Sequence, residues 1–147
     1  MKREDVLLAA LASAAPKKTF EPVHVQKALF LIDRRAVGLF GSRPGQRYDF
    51  VPYDYGPFDS AVYQDLENLA QAGLVCIDRN PQYGYRRYAV TEPGRSKGGQ
   101  FLARMRGTHR KAVNDAVQFV LPLSFRALVG EIYRAYPEMK ANSVFKS

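Results

Sequence analysis

Histidine and cysteine, which often serve as nucleophiles, bases or metal ligands, are few in this 147-residue chain and lie far apart. His24 and His109 belong to separate predicted helices and lack the spacing of metal ligands. Cys76 falls in a predicted strand, where we expect a small buried hydrophobic residue rather than a nucleophile. The glycine-rich stretch 94–100 lacks the Gly-Lys-Ser/Thr ending of a phosphate-binding loop. We therefore predict no catalytic residue, no metal site and no cofactor, and we expect that the chain is not an enzyme.

Positive charge is concentrated in one stretch of the chain. The formal net charge is +8. Residues 79–111 contain nine basic residues and a single acid, Glu92, so this stretch alone carries the whole excess of +8. The remaining residues sum to zero. Segregated positive charge creates a field that attracts polyanions, and double-stranded DNA is the partner that it suggests first.

A predicted third helix over 59–72 and the hairpin after it suit a DNA-binding surface. Polar side chains lie off the apolar stripe of this helix, and Gln or Asn can pair with adenine in a major groove. The hairpin and the next helix start add basic residues for phosphate contacts. Because neighbouring strand residues point to opposite faces, one of Arg86 and Arg87 should matter more than the other. The predicted DNA-binding residues are Ser60, Tyr63, Gln64, Asn68, Arg79, Arg86, Arg87, Arg95 and Lys97.

The acids of the third helix and the aromatic stretch before it favour a different partner. Asp59, Asp65 and Glu67 would repel phosphates, whereas a basic toxin would suit them. The stretch 48–58 is dense in aromatic residues, most of which we expect to pack in the core or in a turn. The alternative function is therefore a protein-interaction module. The residues predicted to contact a protein partner are Tyr53, Tyr55 and Asp65.

Hydrophobic periodicity, helix caps and turn residues predict the elements that position these side chains. A first helix spans 4–15, and a second opens at Pro22 and is buried centrally. A turn at 54–57 precedes the third helix. Strands at 74–78 and 85–90 form a hairpin with its tip at 80–84. Three more helices follow: the first is predicted to start in the stretch 91–94, and the predicted N-caps of the other two are Thr108 and Ser124.

This order of elements predicts an α+β, mostly helical fold with a winged helix-turn-helix core, a β-hairpin wing and additional C-terminal helices. We expect a single domain, 1–147, in which 1–91 form the winged-helix-like core and 92–147 a helical extension. The last two helices have wide apolar stripes, which suggest a homodimer. No apolar run approaches the roughly 20 residues of a membrane span, and no secretory signal is evident. A single cysteine fits a reducing compartment, so we expect a cytoplasmic protein with no membrane partner.

Three segments also resemble a known family. The stretch 25–33, VQKALFLID, resembles a helix that reads LQKLLYLAD in the SocA-type (Panacea) antitoxin-domain proteins and their uncharacterised prokaryotic relatives. The stretch 50–58, FVPYDYGPF, resembles their aromatic Tyr-Gly-Pro turn, and 63–75 resembles the helix that follows. The similarity covers about residues 22–76. It implies a prokaryotic regulator or a toxin-neutralising domain, and it carries over no catalytic residues.

Two functions follow as expectations. The leading prediction is a non-enzymatic, DNA-binding winged-helix transcriptional regulator, which would contact phosphates through the hairpin and bases through the third helix. The alternative is an antitoxin or adaptor of the SocA (Panacea) kind, which would bind a toxin or another protein.

Overall fold

The computed structural model describes residues 1–79, 82 and 84–145, and in this part of the chain six α-helices and two short antiparallel hairpins form an α+β, mostly helical fold. The helices are α1 (Arg3–Ala12), α2 (Pro22–Arg35), α3 (Ala61–Gln71), α4 (Glu92–Arg104), α5 (Gly107–Val120) and α6 (Phe125–Ala135). The strands are β1 (Val51–Tyr53), β2 (Gly56–Phe58), β3 (Val75–Asp78) and β4 (Arg87–Val90). A 3₁₀-helix, Pro137–Lys140, follows α6.

Local capping chemistry explains most of the helix starts. Helix α2 begins at Pro22, preceded by a reciprocal cap in which Glu21 and His24 bind each other's backbone N–H groups. The Ser124 hydroxyl caps α6, as the sequence predicts, and the Thr91 hydroxyl caps α4 within the predicted helix start at 91–94. The prediction that Thr108 caps α5 is wrong, because α5 already begins at Gly107. Helix α1 ends at Ala12, three residues before the predicted end.

One hydrophobic core unites the two halves of the chain. Helix α2 lies at its centre, with Val25, Phe30 and Ile32 fully buried. Helix α4 packs against α1 and α5 packs against α2, so residues after 91 contribute to the same core as those before it. At Gly98 the two helices α1 and α4 are so close that an added Cβ would lie 2.7 Å from the Leu8 carbonyl oxygen. The predicted C-terminal extension is therefore part of the core.

The β1–β2 hairpin is tighter than the sequence suggests. Val51 pairs with Phe58, and Tyr53 pairs with Gly56, so the turn contains only residues 54 and 55. The predicted turn over 54–57 is therefore too long at its C-terminal end. Gly56 has a φ of +101°, a conformation that favours glycine, and an added Cβ there would lie 3.2 Å from the Tyr133 ring.

The β3–β4 hairpin directly after α3 confirms the predicted antiparallel pair. Val75 pairs with Val90, and Asp78 with Arg87. The segment between α1 and α2 adds a single antiparallel bridge, in which Phe20 and Tyr88 exchange two backbone hydrogen bonds of 2.8 Å. Of the predicted tip at 80–84, positions 80, 81 and 83 lie outside the described residues. The expectation that Cys76 is buried is wrong, since its side chain lies on the exposed face of β3.

The apolar stripes of α5 and α6 face the interior. Val113, Val117, Leu128 and Ile132 are all buried in the core of a single chain. These stripes suggested a homodimer, but packing within one chain already accounts for them. No helix within the described ranges has the length and apolar content that a membrane span requires.

Candidate functional site

The two histidines have structural roles. His24 is buried, accepts a hydrogen bond from the Glu21 N–H through Nδ1, and contacts the Leu123 carbonyl oxygen through Nε2 at 3.1 Å. His109 Nε2 lies 2.9 Å from the Val37 carbonyl oxygen, in a different part of the fold. Across residues 1–79, 82 and 84–145, no three His, Cys, Asp or Glu side chains are grouped as metal ligands would be.

The exposed face of α3 is polar and uncharged. Ser60, Gln64 and Asn68 all lie on it, and Gln64 Nε2 donates a hydrogen bond of 3.1 Å to Asn68 Oδ1. Glu67 turns toward the β3–β4 hairpin, where it forms an ion pair of 2.7 Å with Arg79. Tyr63, which was predicted to contact DNA, is half-buried, and burial raises the pKa of its phenol. The acids of α3 therefore do not point outward from this face.

Asp65 is 1% exposed, which contradicts its predicted role in contacting a partner. Its carboxylate accepts hydrogen bonds from Tyr48 Oη at 2.7 Å and from Arg3 Nε at 2.9 Å. Burial and the adjacent Asp65 carboxylate raise the pKa of Tyr48, so its hydroxyl keeps its proton and donates. This buried network fastens α1, α3 and the loop before β1 to one another.

Much of the basic stretch 79–111 binds within the molecule. Arg87 donates to the Thr19 hydroxyl, and Arg95 Nη1 donates to the carbonyl oxygens of Ala12 and Ala14 at the end of α1. Arg110 binds three carbonyl oxygens at the end of α4 in the same way. Cations are favourable at the negative end of a helix, so Arg95 and Arg110 act as caps. Arg86 and Lys97 are exposed, on the hairpin and on α4 respectively.

Two adjacent side chains of α2 hold the β1–β2 hairpin in place. Gln26 Nε2 donates to the Asp59 carbonyl oxygen at 2.9 Å, and its Oε1 accepts from the Asp59 N–H at 3.1 Å. Lys27 Nζ donates to the Pro57 carbonyl oxygen at 3.2 Å. Both side chains are buried. The Gln-Lys pair and the Tyr-Gly-Pro turn, which are separate segments of the sequence, are thus in direct contact.

The hairpin and α6 enclose a cleft of about 260 Å³ that we call the aromatic cleft. Tyr53 and Tyr55, at its edge, are 51% and 42% exposed, and Phe125 at the start of α6 is 39% exposed. Tyr55 packs edge-on against Phe125, with ring centroids 4.9 Å apart, and Tyr53 stacks on Phe58 at the same distance. The lining residues are Pro22, Val23, Gln26, Lys27, Tyr53, Asp54, Tyr55, Gly56, Phe58, Tyr63 and Phe125.

Lys27 is the cation of the aromatic cleft. Its side chain is 3% exposed, and burial lowers the pKa of its amine to about 8. Within the described ranges no carboxylate oxygen lies within 4.0 Å of it, because it takes part in none of the ion pairs found there. A buried ammonium without a counterion is an unusual arrangement, since burial of a charge normally requires a partner.

Lys27, Gln26 and Phe125 were not among the site residues predicted from the sequence. A signal for Lys27 was present, because it is a charged residue in the middle of a helix that was expected to be buried centrally. Phe125 had no such signal, since it follows a helix cap far along the chain and meets Tyr55 only in the folded protein.

Comparison of the chain with protein-family models and with curated protein sequences found no match. The resemblance to SocA-type antitoxin domains therefore stays a prediction.

Proposed function

We propose that this chain is a protein-interaction module, of the antitoxin or adaptor kind, whose aromatic cleft holds a segment of a partner protein. The observation that carries the proposal is the set of exposed rings, Tyr53, Tyr55 and Phe125, around one concave apolar site. Tyrosine is enriched among the residues that contribute most to binding at protein interfaces, and such residues cluster around desolvated pockets.

The rigidity of the hairpin supports the same proposal. Lys27 binds the backbone of β2 and Gln26 binds the backbone of Asp59 directly after it, so the hairpin backbone does not have to be ordered when a partner binds. Preorganisation of this kind increases affinity because it reduces the conformational entropy that binding removes. The family resemblance covers both of the segments that meet here, and in that family the partner is a toxin.

The proposal predicts that peptides can be selected against the isolated protein from a random library displayed on phage. Tyr55→Ala and Phe125→Ala should each weaken the selected peptides by about tenfold or more, as expected for central interface residues. Tyr85→Ala is the matched control, since Tyr85 is 45% exposed but lies beside the other hairpin. Equal binding by all three variants, or no selected peptide at all, would contradict the proposal.

The second candidate function is DNA binding by a winged-helix core, and the neutral polar face of α3 favours it. The order α1, Phe20 bridge, α2, α3, β3, β4 suits a winged helix, in which α3 would enter the major groove. Ion pairing of Glu67 and burial of Asp65 lessen the phosphate repulsion that those acids would cause.

Salt dependence of binding to a duplex tests this second function. Arg86 is exposed whereas Arg87 is half-buried against Thr19, so Arg86→Ala should reduce affinity more than Arg87→Ala and flatten the salt slope by about one. Gln64→Ala should change sequence preference and leave that slope nearly intact. No mobility shift with the protein's own promoter at low salt would rule the function out.

A further inference from the structure

We propose that the aromatic cleft recognises an acidic side chain on the partner segment and that Lys27 binds its carboxylate. This inference rests on the proposed protein-interaction function and adds the chemical class of the partner, an acidic side chain flanked by apolar residues.

The hydrogen bonding of Lys27 leaves room for such a ligand. An ammonium has three donors, and within the described ranges the acceptor found for Nζ is a single one, the Pro57 carbonyl oxygen at 3.2 Å. Asp54 is the acidic residue among the cleft's lining residues, yet it forms no ion pair with Lys27. The cleft therefore contains a buried positive charge that the surrounding side chains do not neutralise.

A second buried donor lies next to the same wall of the cleft. Tyr133 Oη is buried and has no hydrogen-bond partner in the described part of the chain. The Tyr133 ring and the Lys27 side chain both lie against Gly56, because a Cβ added at Gly56 would be 3.2 Å from Tyr133 Cε1 and 3.7 Å from Lys27 Cε. Tyr133 is not among the residues that line the aromatic cleft, so of these two buried donors Lys27 is the one that a ligand in the cleft can reach.

The electrostatics favour a single carboxylate. Burial lowers the pKa of Lys27 only to about 8, so most molecules carry the charged amine at pH 7. A carboxylate that enters the cleft pairs with a cation that has already lost its hydration, and such buried pairs discriminate strongly between a charged ligand and its neutral isostere. Phosphate groups are often bound by the planar fork of an arginine, and no arginine is among the residues that line this apolar cleft.

The test is a double-mutant cycle on peptides selected from the random library. Peptides selected on the native protein should carry Asp or Glu beside an apolar residue. Replacing that acid by its amide, Asn or Gln, should weaken binding to the native protein by about tenfold or more. Replacing the acid of the peptide by its amide should not change the affinity for the Lys27→Met variant, and titration calorimetry measures that affinity. Lys97→Met, which removes an exposed lysine of α4, should behave like the native protein.

The outcomes separate this inference from the proposed function. Selected peptides that require Tyr55 but show no preference for acids would overturn the inference and leave the interaction module intact. Selected peptides that do not require Tyr55 would overturn the proposed function itself. The comparison of each acid with its amide on the native protein does not depend on the folding of any variant, so it decides the inference even if Lys27→Met is unstable.

Discussion

Replacing Lys27 by methionine should stabilise the fold at neutral pH, because methionine fills similar space without a buried charge. Burial lowers the pKa of Lys27 from its ordinary value of 10.5 to about 8. At about 1.4 kcal/mol per pKa unit, this difference means that the charged amine destabilises the native state by about 3–4 kcal/mol. Loss of the hydrogen bond to the Pro57 carbonyl offsets about 1 kcal/mol. The expected net gain at pH 7 is about 2–3 kcal/mol.

The gain should depend on pH with a definite sign. Below pH 8 the amine is protonated in both the native and the unfolded chain, so the full destabilisation is present. Between pH 8 and 10.5 the unfolded chain binds more protons than the native one, so the native protein becomes more stable as pH rises. The advantage of Lys27→Met should therefore shrink across that interval and turn into a small disadvantage above it.

Urea denaturation of both proteins, at a series of pH values from 7 to about 10, measures this difference. Titration of tyrosines affects both proteins alike, so it cancels when their free energies of unfolding are subtracted. Lys97→Met is the matched control, and it should change stability little at every pH, because Lys97 is exposed. A difference between Lys27→Met and the native protein that stays constant over the whole range would refute a buried, charged Lys27.

Two further predictions concern stability. Gly98→Ala should destabilise the fold by about 1–3 kcal/mol although alanine favours helices, because its Cβ would lie 2.5 Å from the Ala12 Cβ. Gly99 lies on the same helix in open space, so Gly99→Ala should stabilise the fold by about 0.5–1 kcal/mol. Thermal melts in which Gly98→Ala is more stable than Gly99→Ala would contradict the close packing of α1 and α4. Asp65→Ala should lower the free energy of unfolding by about 3 kcal/mol, because it leaves the buried Tyr48 hydroxyl without an acceptor. Urea denaturation measures this loss, and a value below about 1 kcal/mol would mean that the network of Asp65, Tyr48 and Arg3 contributes little to stability.

Features of the fold that depend on local chemistry were predictable from the sequence. The Ser124 cap, the proline at the start of α2 and the glycine after α3 define helix ends through interactions between neighbouring residues. The antiparallel pairing of β3 and β4 follows from two short strands separated by a turn. Helix α2 was expected at the centre because Phe30 and Leu31 widen its apolar stripe.

Features of the candidate site that depend on distant contacts were not predictable in this way. Asp65 is polar and belongs to a helix with a partly polar surface, and only its contacts with Arg3 and Tyr48 show that it faces inward. The basic stretch suggested an open positive surface, yet Arg95 reaches back to the end of α1. Charge counted along a sequence therefore overestimates the number of cations that are free to contact phosphates.

The attachment of the β1–β2 hairpin has a consequence for how its specificity can change. Gln26 and Lys27 form hydrogen bonds with carbonyl and amide groups of the main chain, and these groups are nearly the same in every residue type. Tyr53 and Tyr55 are largely outside these contacts. Evolution or design can therefore replace Tyr53 and Tyr55, and so change the partner, without loss of the hydrogen bonds that attach the hairpin to α2. Hypervariable loops vary on a constant framework in the same way.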